Sequence, residues 1–321
     1  MSENIELPEY LQKIGVKLDW QQVMKVLKPI LTDFPLFHTR KEELFLHFLP
    51  TGYTYVTVTC INPDVFFNLL INKTKIGMLI TLYDDLADHP DRKNPKLLQE
   101  LYKVPFHENR VDSSSFNDEE KYILNFAQSM WKDILTDIQK FPYYDKFYNF
   151  FAFDIQQFYN ANLYSEMISA YPEMANQTEN RTYLSHNMGM IITGMMDLMA
   201  TPNGFFAELG AMRHILYNGQ MLGRLSNVLI TLERELKEGD VTNEICSLAL
   251  QRMQINVDDL RNKSVIELKT LFQPIIDEMY VERQRLYEEI NKVKIKTFCV
   301  PSFVKAIKLL HELHASMRGD I

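Results

Sequence analysis

The stretch DVFFNLLINKTKIGMLITLYDDLAD, Asp64 to Asp88, decides how the chain reads. Phe66, Leu69, Leu70, Ile76, Leu79, Ile80 and Leu82 recur at helical spacing, and Asp64 follows Pro63 at the start, so a helix is predicted over 64–88. A helix this apolar belongs at the centre of a bundle, wrapped by others. It closes on Thr81-Leu82-Tyr83-Asp84-Asp85-Leu86-Ala87-Asp88-His89. Asp84 and Asp88 stand at i and i+4, stacked on one face with their Cβ atoms about 5–6 Å apart. Two carboxylates so placed repel unless a divalent cation lies between them. Mg²⁺ accepts such all-oxygen ligation, with waters and phosphates filling the octahedron. Asp85 points about 100° away and needs a different partner. Alone, the cluster also reads as a solvated acidic helix end.

Outward from this helix the pattern stays helical. Asn117 and Glu120 sketch a capping box for a helix to about residue 140, and Pro142 opens another to about 170. Further helices are predicted at 178–200, 204–237, 241–253, 256–291 and 302–317. Pro202-Asn203-Gly204 and Glu238-Gly239-Asp240 are the clearest breaks. Tyr53 to Cys60 has β-propensity but no partner strand, so an extended loop is expected there. Glycine is 11 of 321 residues, 11/321 ≈ 3.4%, about half the usual ~7%. Few glycines favour long helices over many turns. The expected fold is all-α: one helical bundle domain over 1–321, in which residues 1–50 have no assigned place.

Composition narrows the function. A net charge of −8 opposes a nucleic-acid or anionic-lipid partner, so an anionic substrate needs a metal or a few placed arginines. Cys60, Cys246 and Cys299 are scattered and odd in number, which points to a reduced, cytoplasmic protein without a disulfide frame or zinc site. No targeting leader is evident, and the apolar run Gly189 to Ala200 is shorter than the ~20 residues that span a bilayer, so no membrane insertion is expected.

Over 204–237, Asn227, Thr231 and Glu235 stand at i, i+4 and i+8. Their amide oxygen, hydroxyl and carboxylate fall along one stripe, drifting about 40° per step. The stripe interrupts the apolar Leu225, Val228, Leu229, Ile230 and Leu232. By itself this is an ordinary half-exposed helix. Two such oxygen ladders facing each other would hold several Mg²⁺ ions, and several Mg²⁺ ions point to a diphosphate.

Together, Asp84-Asp85-Leu86-Ala87-Asp88 and Asn227-Val228-Leu229-Ile230-Thr231-Leu232-Glu233-Arg234-Glu235 resemble the two metal motifs of class I terpene cyclases (terpene synthases) of the microbial single-domain type. Thr231 keeps the hydroxyl that the family supplies from Ser, and Val228 replaces an acidic residue. Arg181 lies at the distance of the family's diphosphate-sensing arginine. Leu184 takes the place of its polar linker, and Ser185 that of its effector. Ser316-Met317-Arg318-Gly319 resembles the C-terminal Arg-Tyr element without the tyrosine. The resemblance spans about residues 60–320. It implies that three Mg²⁺ ions, or Mn²⁺, bind a linear prenyl diphosphate between Asp84, with or without Asp88, and Asn227, Thr231 and Glu235. Arg181, Ser185, Arg234 and Arg318 would contact the diphosphate. The implied activity is that of a carbon–oxygen lyase, which ionises farnesyl or geranylgeranyl diphosphate and cyclises the cation to a sesquiterpene or diterpene. Monomer and homodimer are both compatible with it.

An allylic cation needs shielding from water and π-faces to hold it. Phe66, Phe67, Tyr83, Phe158 and Tyr217 are candidates, with Met188, Met190, Met195 and Met196 shaping the wall, although for any one of them plain core packing is the favoured reading. Gly189 and Gly194 could mark a bend or simply close packing. His186, His214, His311 and His314 lack metal-ligand spacing and read as surface or capping residues. Two other readings remain: a chain-elongating prenyltransferase, which should carry a second aspartate-rich motif in place of the Asn227 ladder, and a catalytically degenerate helical binding protein.

Overall fold

The computed structural model describes residues 7–35, 40–89, 91–202, 206–238 and 242–317, and among them every regular element is helical. The N-terminal region, unassigned from sequence, forms α1 (Glu9–Lys13), α2 (Trp20–Thr32) and a π-helical turn, Leu44–Phe48, that runs into α3 (Leu49–Tyr55). Helix α2 is amphipathic and buries Val23, Leu27 and Leu31, spaced four apart, against the bundle. The apolar stretch becomes α4 (Phe66–Asp88), introduced by one 3₁₀ turn whose cap is Asn62. Short helices α5 (Pro95–Leu101) and α6 (Val104–His107) lead to α7 (Asp118–Ile138), which opens with the expected Asn117–Glu120 capping box. Next comes α8 (Tyr144–Ala170).

The predicted helix over 178–200 is not continuous. It divides into α9 (Gln177–Tyr183), a 3₁₀ turn over Leu184–Met188, and α10 (Met190–Met199). Gly189 makes the break with a left-handed φ of 62°. A Cβ there would lie 2.1 Å from Ile80 Cδ1, so the turn can approach α4 only through a glycine. Helix α11 (Leu209–Glu238) carries the second ladder, and α12 (Glu244–Arg252) follows. The predicted 256–291 helix is two, α13 (Val257–Asn262) and α14 (Val265–Lys292), because Ser264 and Glu267 form a capping box that restarts the chain. Helix α15 (Val300–Ser316) closes the fold.

Helix α4 packs on α3, α7, α8 and α10, and α11 packs on α10, α14 and α15. One apolar cluster runs through all these layers from Leu11 to Ile307. A buried ion pair joins two of the central helices: Lys73 Nζ on α4 donates to Asp197 Oδ1 on α10 at 2.8 Å, both side chains 0% exposed. Lys73 also donates to Thr57 Oγ1, and Asp197 Oδ2 accepts from Val58 N. These bonds explain the Tyr53–Cys60 run. Tyr53–Tyr55 end α3, and the residues beyond are held by polar anchors rather than by strand pairing.

Pro63–Ala87 is long and apolar enough by length and composition to cross a membrane, which corrects the expectation that the longest apolar runs fall short of a span. Burial inside the fold accounts for that composition, since 72% of its apolar window is buried.

Candidate active site

Helices α3, α4, α11 and α15 and the Leu184–Met188 turn enclose a cavity of about 310 Å³, the size of a small-molecule site. Its polar groups gather where α4 and α11 end. Asp84 projects from the last turn of α4, and Asn227, Thr231, Arg234 and Glu235 from the last three turns of α11. The two ladders read from the sequence therefore face one space. One to two turns back along α4 the wall becomes apolar, with Ile80 and Gly77 beside Leu49 and Tyr53 of α3. Gly77 is required there, because a Cβ would lie 2.7 Å from Tyr53 Oη.

The polar groups are held by neighbours. Asp84 Oδ1 accepts from Asn187 Nδ2 at 3.2 Å, and Asn187 also donates to Ser165 Oγ. Burial pushes the Asp84 carboxyl up to about 6; the neighbouring Asp85 charge adds to the rise, while Arg40 and Arg224 oppose it. A carboxylate so desolvated gains from a cation. Thr231 Oγ1 donates to Asn227 O and lies 3.3 Å from Asn227 Oδ1. Glu235 Oε2 accepts from Asn243 Nδ2 at 2.7 Å; Asn243, buried, also caps α12 and donates to Val228 O. Asp85, also on the cavity lining, is 1% exposed and accepts from Arg40 and Arg92 together, the separate partner its spacing requires.

Among the described residues no three His, Cys, Asp or Glu side chains converge as a closed metal cage. The donors on the cavity are Asp84 and Glu235 carboxylates, an amide and a hydroxyl, an open oxygen-only set that fits Mg²⁺ with its retained waters.

Other expected residues fall elsewhere. Arg181 is in the last turn of α9, not the first turn of a longer helix, and it is absent from the cavity wall. Its Nη1 lies 3.9 Å from Glu282. Ser185 is buried behind the wall with its hydroxyl 3.5 Å from Arg181 O. The Asp88 side chain and Arg318 lie outside the described residues. Of the aromatic and methionine candidates, only Met188 and Met190 reach the cavity. Phe66, Phe158, Met195 and Met196 are core, and so is Tyr83, whose hydroxyl accepts from Trp131 Nε1 at 2.9 Å. Phe67 packs on the core, and Tyr217 Oη lies 3.3 Å from His186 Nε2. The π-faces on the wall are Phe48 and Tyr53 instead.

Sequence reasoning missed Arg40, Asn187, Arg224 and Asn243, all on the cavity. Arg224 had a signal, since it stands one turn before Asn227 on the same helix. The histidine reading is corrected: His311 and His314 are on the wall, and His186 and His311 are buried. Burial holds His311 down to about 3, and His314 and His186 to about 4.

No model of a known protein family matches the sequence, and no curated protein matches it. Among solved structures the fold is similar to that of isoprene synthase from grey poplar leaves (Populus x canescens), with a TM-score of 0.59 at 15% sequence identity. The match covers 95% of this chain and 53% of that one, so the chain spans about half the length of the enzyme it resembles. The expected fold class is thereby borne out: the chain has the all-α terpene synthase fold.

Proposed function

We propose that the protein is a Mg²⁺-dependent class I terpene cyclase of the single-domain type, acting on a linear C15 or C20 prenyl diphosphate. One observation carries the reading: Asp84 on α4 and Asn227, Thr231 and Glu235 on α11 line a single cavity whose deeper wall is apolar. Asp84, Asn227, Thr231 and Glu235 would hold the ions, with Asp88 as a further ligand. When bound, Mg²⁺ supplies positive charge to a departing diphosphate.

The chain's own groups supply the rest. Arg40 and Arg234 border the polar end and can donate charge-assisted hydrogen bonds to diphosphate oxygens, a role proposed for Arg318 as well. Asn187 fixes the aim of Asp84, and Asn243 that of Glu235. Heterolysis of the C–O bond leaves an allylic cation, which the rings of Phe48 and Tyr53 can face. Leu49, Ile80 and Leu310 keep water from it.

Thermal unfolding with ligands tests the site directly. Mg²⁺ plus inorganic diphosphate should raise the melting temperature, and Mg²⁺ alone much less; saturation at about 100 times Kd adds ~2.7 kcal/mol. No shift at millimolar levels of both would contradict a diphosphate site.

A further inference from the structure

Arg224 is an arginine without a partner in a place where one is needed. It lines the cavity from α11, one turn before Asn227, and its Nε is buried without a hydrogen bond. Its guanidinium makes no hydrogen bond and no ion pair within 4 Å to any described residue, although its charge favours ionisation of both Asp84 and Glu244. Glu244, at the first position of α12, is buried, and its Oε1 also lacks a partner. A half-buried guanidinium whose Nε is sealed from water without a partner is costly until an anion enters.

Arg181 shares Glu244 with Arg224: both arginines act on that carboxyl, whereas burial and Glu282 oppose its ionisation.

Resting on the reading of the cavity as a diphosphate site, we propose that Arg224, on the wall with Arg40 and Arg234, contacts the diphosphate in this chain, in the place the resemblance gives to Arg181. The planar fork of Arg224 suits two oxygens of one phosphate, so lysine should replace it poorly.

Calorimetric titration of Mg²⁺ and inorganic diphosphate into the full chain tests this without recourse to turnover. Arg224→Gln should weaken binding by about tenfold or more, the worth of one charge-assisted hydrogen bond. Arg224→Lys, which keeps the charge, should recover only part of that loss, and Arg181→Gln should cost about threefold or less, since Arg181 is off the cavity wall. Melting curves without ligand establish that each variant is folded. Undiminished binding by Arg224→Gln, or a loss in Arg181→Gln as large as in Arg224→Gln, would overturn the assignment while leaving the diphosphate site standing. Absence of binding by the unmodified chain would remove both.

Discussion

Asn187 Nδ2 donates to Asp84 Oδ1 at 3.2 Å, tying the turn between α9 and α10 to the metal-ligand end of α4. The bond links the break in one helix to the aim of a carboxylate on another. Asn187→Ala should leave the fold intact and weaken Mg²⁺-diphosphate binding by about threefold to tenfold, because the bond orients a carboxylate ligand. Calorimetry checks it; unchanged affinity would show that Asp84 needs no such guide.

The turn itself depends on Gly189. Its φ of 62° and the 2.1 Å approach of Ile80 Cδ1 mean that Gly189→Ala must strain the backbone and displace a side chain. A loss of at least about 1–2 kcal/mol is expected. Urea unfolding measures it, and a neutral result would place the break elsewhere.

Asn243 serves the second ladder twice, as the cap of α12 and as donor to Glu235. Asn243→Ala should cost about 1–3 kcal/mol, because it removes a cap and a buried donor shared by Glu235 and Val228 O. Asn243→Asp should restore most of the cap yet still impair ligand binding, by setting a second carboxylate against Glu235. Equal behaviour of the two variants in both assays would separate Asn243 from the site.

Acid should destabilise the protein through His186 and His311, held by burial down to about 4 and about 3. In the unfolded chain both take up protons below about pH 6.5, while in the folded chain they stay neutral. Their contribution is therefore complete above that pH and lost as pH falls towards 4. Each adds a slope of about 1.4 kcal/mol per pH unit. Chemical denaturation between pH 7 and 5 should show the fall, and His311→Gln should flatten it. Stability that rises on acidification would contradict the burial of both rings.

Much of the site was legible because its signals are local. Asp84 on one helix, and Asn227, Thr231 and Glu235 on another, keep their spacing wherever the helices go, and their oxygen donors stand out from apolar neighbours. The spacing of Asp85 likewise foretold a separate partner, found as Arg40 and Arg92. Arg40 itself was out of reach, since nothing local joins it to a carboxylate 45 residues later. The aromatic wall was misread for a related reason: Phe66, Tyr83 and Phe158 have the composition of a pocket and the burial of a core, and only packing distinguishes the two. The split of the 256–291 helix was written in Ser264-Val265-Ile266-Glu267, a capping box hidden inside an unbroken periodic pattern.

The most direct measurement is the release of inorganic diphosphate from farnesyl and geranylgeranyl diphosphate, with gas chromatography of the organic products. With Mg²⁺ the protein should release diphosphate from at least one of them and yield a cyclic C15 or C20 product. Chelation, Asp84→Asn and Glu235→Gln should each reduce that release by orders of magnitude in folded protein. No release by the unmodified protein, or full activity in both variants, would contradict the assignment of the α4 and α11 ladders to diphosphate ionisation.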